Sequence, residues 1–277
     1  MTGIRLICLH HAGGSPSVFS PWVREAPSGV QVVTIALPQA EGPARRRRYR
    51  TIEDLLPVLA ADIEDQLSDS GTGPYVLFGH SMGGLLAYLL ARRMAEGSGP
   101  VPAALVVAGY GAPHAWTVSL DYGDDRDLVR RLHGIGGLPD WVVANPVWLE
   151  PMLGPVRDDV EVCRSYRHTP QQEKLPFPVH VFAGNDDLLI PREYFLAWRE
   201  YADEVSINFV DSGHFLVSED TGHFRKLIFE LALGQLLPPP RKDGRQDTNH
   251  PFERWLPGHQ HDRIGDPCAS NSSSASP

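Results

Sequence analysis

The sequence predicts an α/β fold in which a mostly parallel central sheet is flanked by helices. Three observations predict it. Short apolar segments rich in β-branched and aromatic residues recur along the chain, and they are apolar on both faces, as buried parallel strands are. Segments with helical periodicity separate them, and strand–helix alternation implies parallel pairing. One stretch of roughly fifty residues has no strand signal and reads as a helical insertion between two strands.

Taken in order, the strand candidates are Ile4–Leu9, Gln31–Leu37, Tyr75–Gly79, Ala103–Gly109, Val179–Gly184 and Val205–Val210. Between the second and third, Ile52, Leu55, Leu56, Leu59, Ile63 and Leu67 fall at helical spacing, with Thr51 as N-cap. Pro57 lies inside this pattern, so a kink or a later start is expected there. Met82–Met94, Arg192–Tyr201 and Phe215–Leu236 read as further helices. The insertion runs from Asp121 to Thr169. Leu128, Val129 and Leu132 fit one helix, and Trp148, Leu149, Met152, Leu153, Val156, Val160 and Cys163 fit more, with Gly134, Gly136, Gly137 and Pro139 at the joints. Such an insertion either extends the core or forms a lid over a site at the strand C-termini.

Composition sets the outer limits. The chain of 277 residues is 42% hydrophobic and 21% charged, which suits a soluble globular protein and excludes a fibre or a mostly disordered chain. No apolar run is long enough to span a bilayer, and the N-terminus lacks a signal-peptide core. Cys8, Cys163 and Cys268 lie too far apart for a disulfide framework or a zinc site, so a cytoplasmic location and no metal are expected. A formal charge of −9 disfavours nucleic acid. The one dense basic cluster is Arg45, Arg46, Arg47 and Arg48, with Arg50 beyond. It fits either a solvated face or a docking patch for an acidic partner or a phosphate. From Pro238 to Pro277 proline, serine and balanced charges dominate, and the only aliphatic side chains larger than alanine are Leu256 and Ile264. That segment cannot offset its ordering entropy and reads as a disordered tail, which leaves residues 1–237 as the folded domain.

The chemistry centres on Gly79-His80-Ser81-Met82-Gly83, a G-x-S-x-G set between a strand and a helix. That context is the nucleophile elbow of α/β-hydrolases, where small flanking residues relieve crowding around a strained serine. Ser81 is therefore the candidate nucleophile, and His80 reads as packing behind the elbow. A serine hydroxyl needs a base, and the base needs a carboxylate to fix its tautomer. After the strand Val179–Gly184 comes Asn185-Asp186-Asp187-Leu188-Leu189-Ile190-Pro191; after Val205–Val210 comes Asp211-Ser212-Gly213-His214-Phe215. His214 is the candidate base. Asp187 is favoured over Asp186 for the acid, with Asp211 third. The oxyanion donors are assigned to the backbone N–H groups of Met82 and of Ala12, the latter in His10-His11-Ala12-Gly13-Gly14-Ser15. In the insertion and just before it, Trp116, Trp148 and Met152 are candidate substrate-binding residues, alongside Trp141 and Tyr166 as further bulky side chains. His114, His133, His168, His180 and His223 read as structural or surface histidines.

With these residues in view, the chain resembles the stand-alone type II thioesterases of polyketide and nonribosomal peptide pathways. The resemblance is carried by Ala12-Gly13-Gly14-Ser15 with Trp22, by Gly79–Gly83, by Leu105–Pro113, and by Gly136-Gly137-Leu138-Pro139. It extends through Met152-Leu153-Gly154-Pro155-Val156-Arg157-Asp158-Asp159, Tyr166 and Gly213-His214-Phe215. Two positions differ from the family pattern: His10 stands where proline is usual, and Leu37–Gly42 replaces a Pro-Gly-Arg stretch. The resemblance implies an α/β-hydrolase fold and a triad of Ser81, Asp187 and His214. It also implies hydrolysis of acyl groups, stalled or aberrant ones included, from the phosphopantetheine arm of acyl or peptidyl carrier proteins. No cofactor is expected, and a monomer is. The competing readings are an acyltransferase built on the same acyl-serine, a generic esterase or peptidase, and a non-catalytic carrier-binding protein.

Overall fold

The computed structural model describes residues 3–40, 47–69, 73–97, 99–115, 122–170 and 173–236. The expected tail at 238–277 lies outside them.

Six parallel strands form the central sheet: β1 (Ile4–Leu9), β2 (Val30–Thr34), β5 (Tyr75–His80), β6 (Ala104–Ala108), β7 (Val179–Gly184) and β8 (Val205–Val210), in the order β2-β1-β5-β6-β7-β8. A separate antiparallel pair, β3 (Gln39–Ala40) and β4 (Arg47–Arg48), lies between β2 and the first long helix. The central strands β1, β5 and β6 are buried along their whole length, whereas the edge strands β2 and β8 are only half buried. This is the expected α/β-hydrolase architecture. Strand order reverses between β1 and β5, and open sheets bind ligands at the strand C-termini beside such a reversal.

Each face of the sheet has its own helical cover. Ile7, Leu9, Leu77, Leu105, Val107, Val179 and Val181 face α2 (Ile52–Asp69) and α3 (Met82–Glu96). Along α2 the buried residues Leu55, Leu59, Ile63 and Leu67 recur every four positions. Thr51 caps this helix as expected: its hydroxyl accepts the Asp54 N–H at 3.2 Å and donates to the Asp54 carboxylate at 2.7 Å. Pro57 neither delays nor ends the helix. It sits on the exposed face, where the carbonyl left without its usual N–H partner can turn to water. On the opposite face Phe78 and Phe182 meet Trp22 of α1 (Ser20–Glu25) and Phe224 and Phe229 of α8 (His223–Gly234), with neighbouring ring centroids 4.9–6.3 Å apart.

Three expected boundaries shift. The second strand ends at Thr34 rather than Leu37: the Ile35 N–H donates to the Cys8 carbonyl as the last rung of the parallel ladder with β1. The helix expected over Arg192–Tyr201 divides into α7 (Arg192–Leu196) and a 3-10 turn, Ala197–Glu200. The last helix begins at His223, not Phe215. Phe215, Leu216 and Val217 are buried, but as a loop, and Asp220 resets the helix start by accepting the N–H groups of Gly222 and Phe224.

The insertion is helical throughout its described part: α4 (Asp125–Gly134), α5 (Asp140–Val143) and α6 (Pro146–Ser165). It has a small core of its own, formed by Leu128, Leu132, Leu138, Val142, Leu153, Val156 and Val160. Val162 and Cys163, at the far end of α6, belong instead to the main core. The insertion is thus anchored at one end and self-supported at the other.

Candidate active site

The elbow is built by steric exclusion. Ser81 has φ 54° and ψ −116°, and it is the only non-glycine residue with positive φ among the described residues. Holding a serine there costs on the order of 1–3 kcal/mol and persists only where its surroundings enforce it. They do so through two glycines. A Cβ on Gly79 would overlap the Gly83 carbonyl, and a Cβ on Gly83 would overlap the Leu9 carbonyl of β1. The ladder continues through the elbow as the Ser81 N–H donates to the Ala108 carbonyl at 2.8 Å. The hydroxyl is thereby lifted above the sheet edge, and Met82 stands at the first position of α3, where an N–H has no acceptor within its helix.

Two adjacent loops bring the partners. Gly184 pairs with Val210 at the ends of β7 and β8, so the segments that follow leave the sheet side by side. Ser81 Oγ lies 3.0 Å from His214 Nε2, and His214 Nδ1 lies 2.9 Å from Asp187 Oδ2. Both side chains of the second pair are buried, at 2% and 1% exposure. Asp187 Oδ1 accepts the N–H groups of Leu189 and Ile190 at 2.8 and 3.0 Å, which fixes the carboxylate plane. With its proton on Nδ1, donated to Asp187, the imidazole leaves Nε2 to accept from the Ser81 hydroxyl. Asp186 is exposed and only its backbone N–H is engaged, by Ser212. Asp211 accepts from Asn185 at 2.8 Å. Of the three aspartates, Asp187 is the one whose carboxylate lies against His214 Nδ1.

Three supports of this arrangement carried no signal in the sequence. His80 Nε2 lies 2.8 Å from the His214 carbonyl and donates to it, so the residue before the nucleophile also tethers the residue bearing the base. Glu219 accepts from Ser212 Oγ at 2.7 Å and from the Gly213 N–H at 2.8 Å, which braces the loop in front of His214. Asp159, from α6, accepts the Gly13 N–H at 2.7 Å. The surroundings of His214 are buried. Burial, reinforced by neighbouring His10 and His214, lowers the His11 pKa to about 4. Burial likewise holds His80 well below the ordinary histidine range. His11 packs edge-on against His80 and Phe215, with centroids 5.3 and 5.2 Å away. These are neutral aromatic rings at physiological pH, in keeping with the packing role read for His80.

Other expected residues fall elsewhere. Ala12 lies in the loop after β1, partly buried against the main core. Trp148 is 58% exposed and stands edge-on to Trp141, with centroids 6.4 Å apart; Met152, one turn further along α6, is 38% exposed. Both side chains are therefore largely open to solvent on the insertion. Trp116 lies outside the described residues, as do Arg45 and Arg46; the backbone of Arg47–Arg48 forms β4. His133 pairs with Asp140 and His114 with Tyr201, the structural roles expected of them.

Comparison with known proteins gives a consistent picture. A family model described as a thioesterase domain matches residues 4–230. The gramicidin S biosynthesis protein GrsT of Aneurinibacillus migulanus is 28% identical over 219 residues, covering 78% of this chain and 84% of its own. RedJ, a thioesterase of the prodiginine pathway in Streptomyces coelicolor, superposes with a TM-score of 0.71 at 29% identity, over 84% of this chain and 85% of its own. The type II thioesterase BorB of the borrelidin cluster superposes at 0.70 with 29% identity, over 85% and 94%.

Proposed function

This chain belongs to the thioesterase-domain family, and from that premise we propose that it hydrolyses acyl groups from the phosphopantetheine arm of carrier proteins in polyketide or nonribosomal peptide assembly. The observation that carries the reading is the unbroken relay from Asp187 through His214 to a strained Ser81, inside a match to the thioesterase family that spans the whole sheet.

In the proposed reaction His214 Nε2 takes the proton of Ser81 Oγ as that oxygen attacks the thioester carbonyl. The N–H groups of Ala12 and Met82 receive the developing oxyanion. The C–S bond breaks, the thiol leaves with the proton returned by His214, and Ser81 holds the acyl group as an ester. Water, deprotonated by the same nitrogen, adds to that ester; the acid departs and Ser81 recovers its proton. Nucleophile, base, acid and oxyanion donors all come from the chain. Trp116, Trp148 and Met152 are proposed contacts for the arriving substrate at the lid. The arginines at 45–48 are proposed to dock the carrier, whose own charge is acidic around the modified serine.

The experiment compares acyl-loaded carrier protein, acyl-coenzyme A and a nitrophenyl ester, with the parent protein and with Ser81→Ala. The parent is expected to favour the carrier thioester, and Ser81→Ala to lose roughly three decades or more in rate while staying folded. Ser81→Ala activity within about tenfold of the parent would overturn the assignment of the nucleophile. Transfer of the acyl group to an added amine in preference to water would make the protein an acyltransferase instead.

A further inference from the structure

The lid touches the loop after β1 at Gly13, and it does so from two sides. Gly13 has φ +73°, and a Cβ there would overlap Val156 Cγ2, so the α6 side chain occupies the space beside the bare glycine. One turn later on the same helix, Asp159 Oδ2 accepts the Gly13 N–H at 2.7 Å. Residues three apart share one helix face, so Val156 and Asp159 act together as a grip. Asp159 is 1% exposed, on a stretch of α6 whose buried neighbours are Val156, Val160, Val162 and Cys163. Carrying a carboxylate into such surroundings is costly unless it is hydrogen-bonded. One partner here is a backbone N–H next to the proposed oxyanion donor.

The peptide between Ala12 and Gly13 is planar, so holding its N–H restrains the turning of that peptide about the Ala12 Cα–C bond, the ψ angle. That angle, with φ, sets where the Ala12 N–H points. We propose that Asp159 is a positioning residue for hydrolysis: through the Gly13 N–H it aims the Ala12 N–H, so the oxyanion hole is complete only while α6 is seated on the loop. The lid is then part of the catalytic framework as well as its cover. Raising α6 to admit an acyl chain disarms the site, and closure rearms it. This rests on the oxyanion role given to Ala12 above.

The test uses a small acyl thioester and an alkyl trifluoromethyl ketone, which Ser81 would convert to a tetrahedral oxyanion. Rates are taken per active serine, counted by fluorophosphonate labelling. Asp159→Ala is expected to lower kcat by about 30- to 100-fold with KM within about threefold, and to raise the Ki of the ketone by a comparable factor, because a misaimed donor is felt only by the tetrahedral species. A merely structural role would reduce the number of active serines and leave both constants per serine unchanged. A kcat within about threefold of the parent, or a fall in kcat with unchanged Ki, overturns the proposal. If Asp159→Ala does not fold, hydrogen exchange of the parent decides. Exchange of the Gly13 amide in step with the amides of α6 supports the grip; exchange at the rate of an unprotected loop overturns it. Loss of the functional reading itself looks different, since the parent would then show no Ser81-dependent thioester hydrolysis at all.

Discussion

Asp187→Asn is expected to reduce kcat by about four decades through the histidine tautomer, with the fold intact. The carboxylate uses its oxygens differently: Oδ1 accepts the N–H groups of Leu189 and Ile190 at 2.8 and 3.0 Å, and Oδ2 faces His214 Nδ1 at 2.9 Å. An asparagine of the same shape must turn its carbonyl oxygen toward the two backbone donors. The reverse orientation sets an NH2 against two N–H groups in a site 1% exposed, at about 1–3 kcal/mol for each group left unsatisfied. The NH2 therefore faces Nδ1 and donates to it. The imidazole proton moves to Nε2, which can no longer accept from Ser81 Oγ at 3.0 Å. A loss of four decades corresponds to about 5.4 kcal/mol of transition-state stabilisation at 1.36 kcal/mol per decade. Asp186→Asn, on an exposed side chain, is the control and is expected within about twofold of the parent. The assay is steady-state hydrolysis of a small acyl thioester, followed by release of thiol, with circular dichroism to verify folding. Asp187→Asn retaining more than about 1% of kcat, or Asp186→Asn proving the worse of the two, would refute the argument.

Two further outcomes follow from charge. The unfolded chain protonates His11 and His80 near the ordinary histidine pKa, whereas the native state takes up the first proton only near pH 4 for His11 and still resists it at His80. Unfolding free energy is therefore untouched by these groups above about pH 7 and falls on acidification, by about 1.4 kcal/mol per pH unit for each histidine held neutral. Urea titrations between about pH 7 and pH 5 check this, and a flat profile would mean that neither is held neutral. At the proposed docking patch, exchanging three of Arg45–Arg48 for glutamine is expected to raise KM for an acyl-carrier protein and to weaken its salt dependence, while a small thioester is hydrolysed as before. An equal response of both substrates would make the arginines a solvated face.

Much of the site was legible because its requirements are local. A strained serine between a strand and a helix demands glycines on both sides, and Gly79 and Gly83 announce it. The loops bearing Asp187 and His214 each follow a strand whose apolar pattern is plain, and the central strands were bounded to within a residue or so. Boundaries failed where burial came without periodicity. Phe215, Leu216 and Val217 are as apolar as a helix face, yet they fill a loop, and the cap that delays the helix to His223 is a single carboxylate at Asp220. At the sheet edge, β2 stops earlier than its apolar run, at the last rung it shares with β1, the hydrogen bond from Ile35 to Cys8.

What the sequence determined by itself was the alternation, the elbow and the loops that carry the candidate reacting groups, since each is written in residues within one turn or strand of one another. The tertiary structure alone decided which aspartate faces the histidine, that His80 bonds the His214 carbonyl, and that a carboxylate on α6 holds Gly13. The reason is distance along the chain. His80 and His214, or Gly13 and Asp159, are separated by more than half of the folded domain, and nothing in either segment encodes the other. They meet only because the strand order brings the ends of β1, β5, β7 and β8 to one edge, and because α6 folds back over that edge to close it.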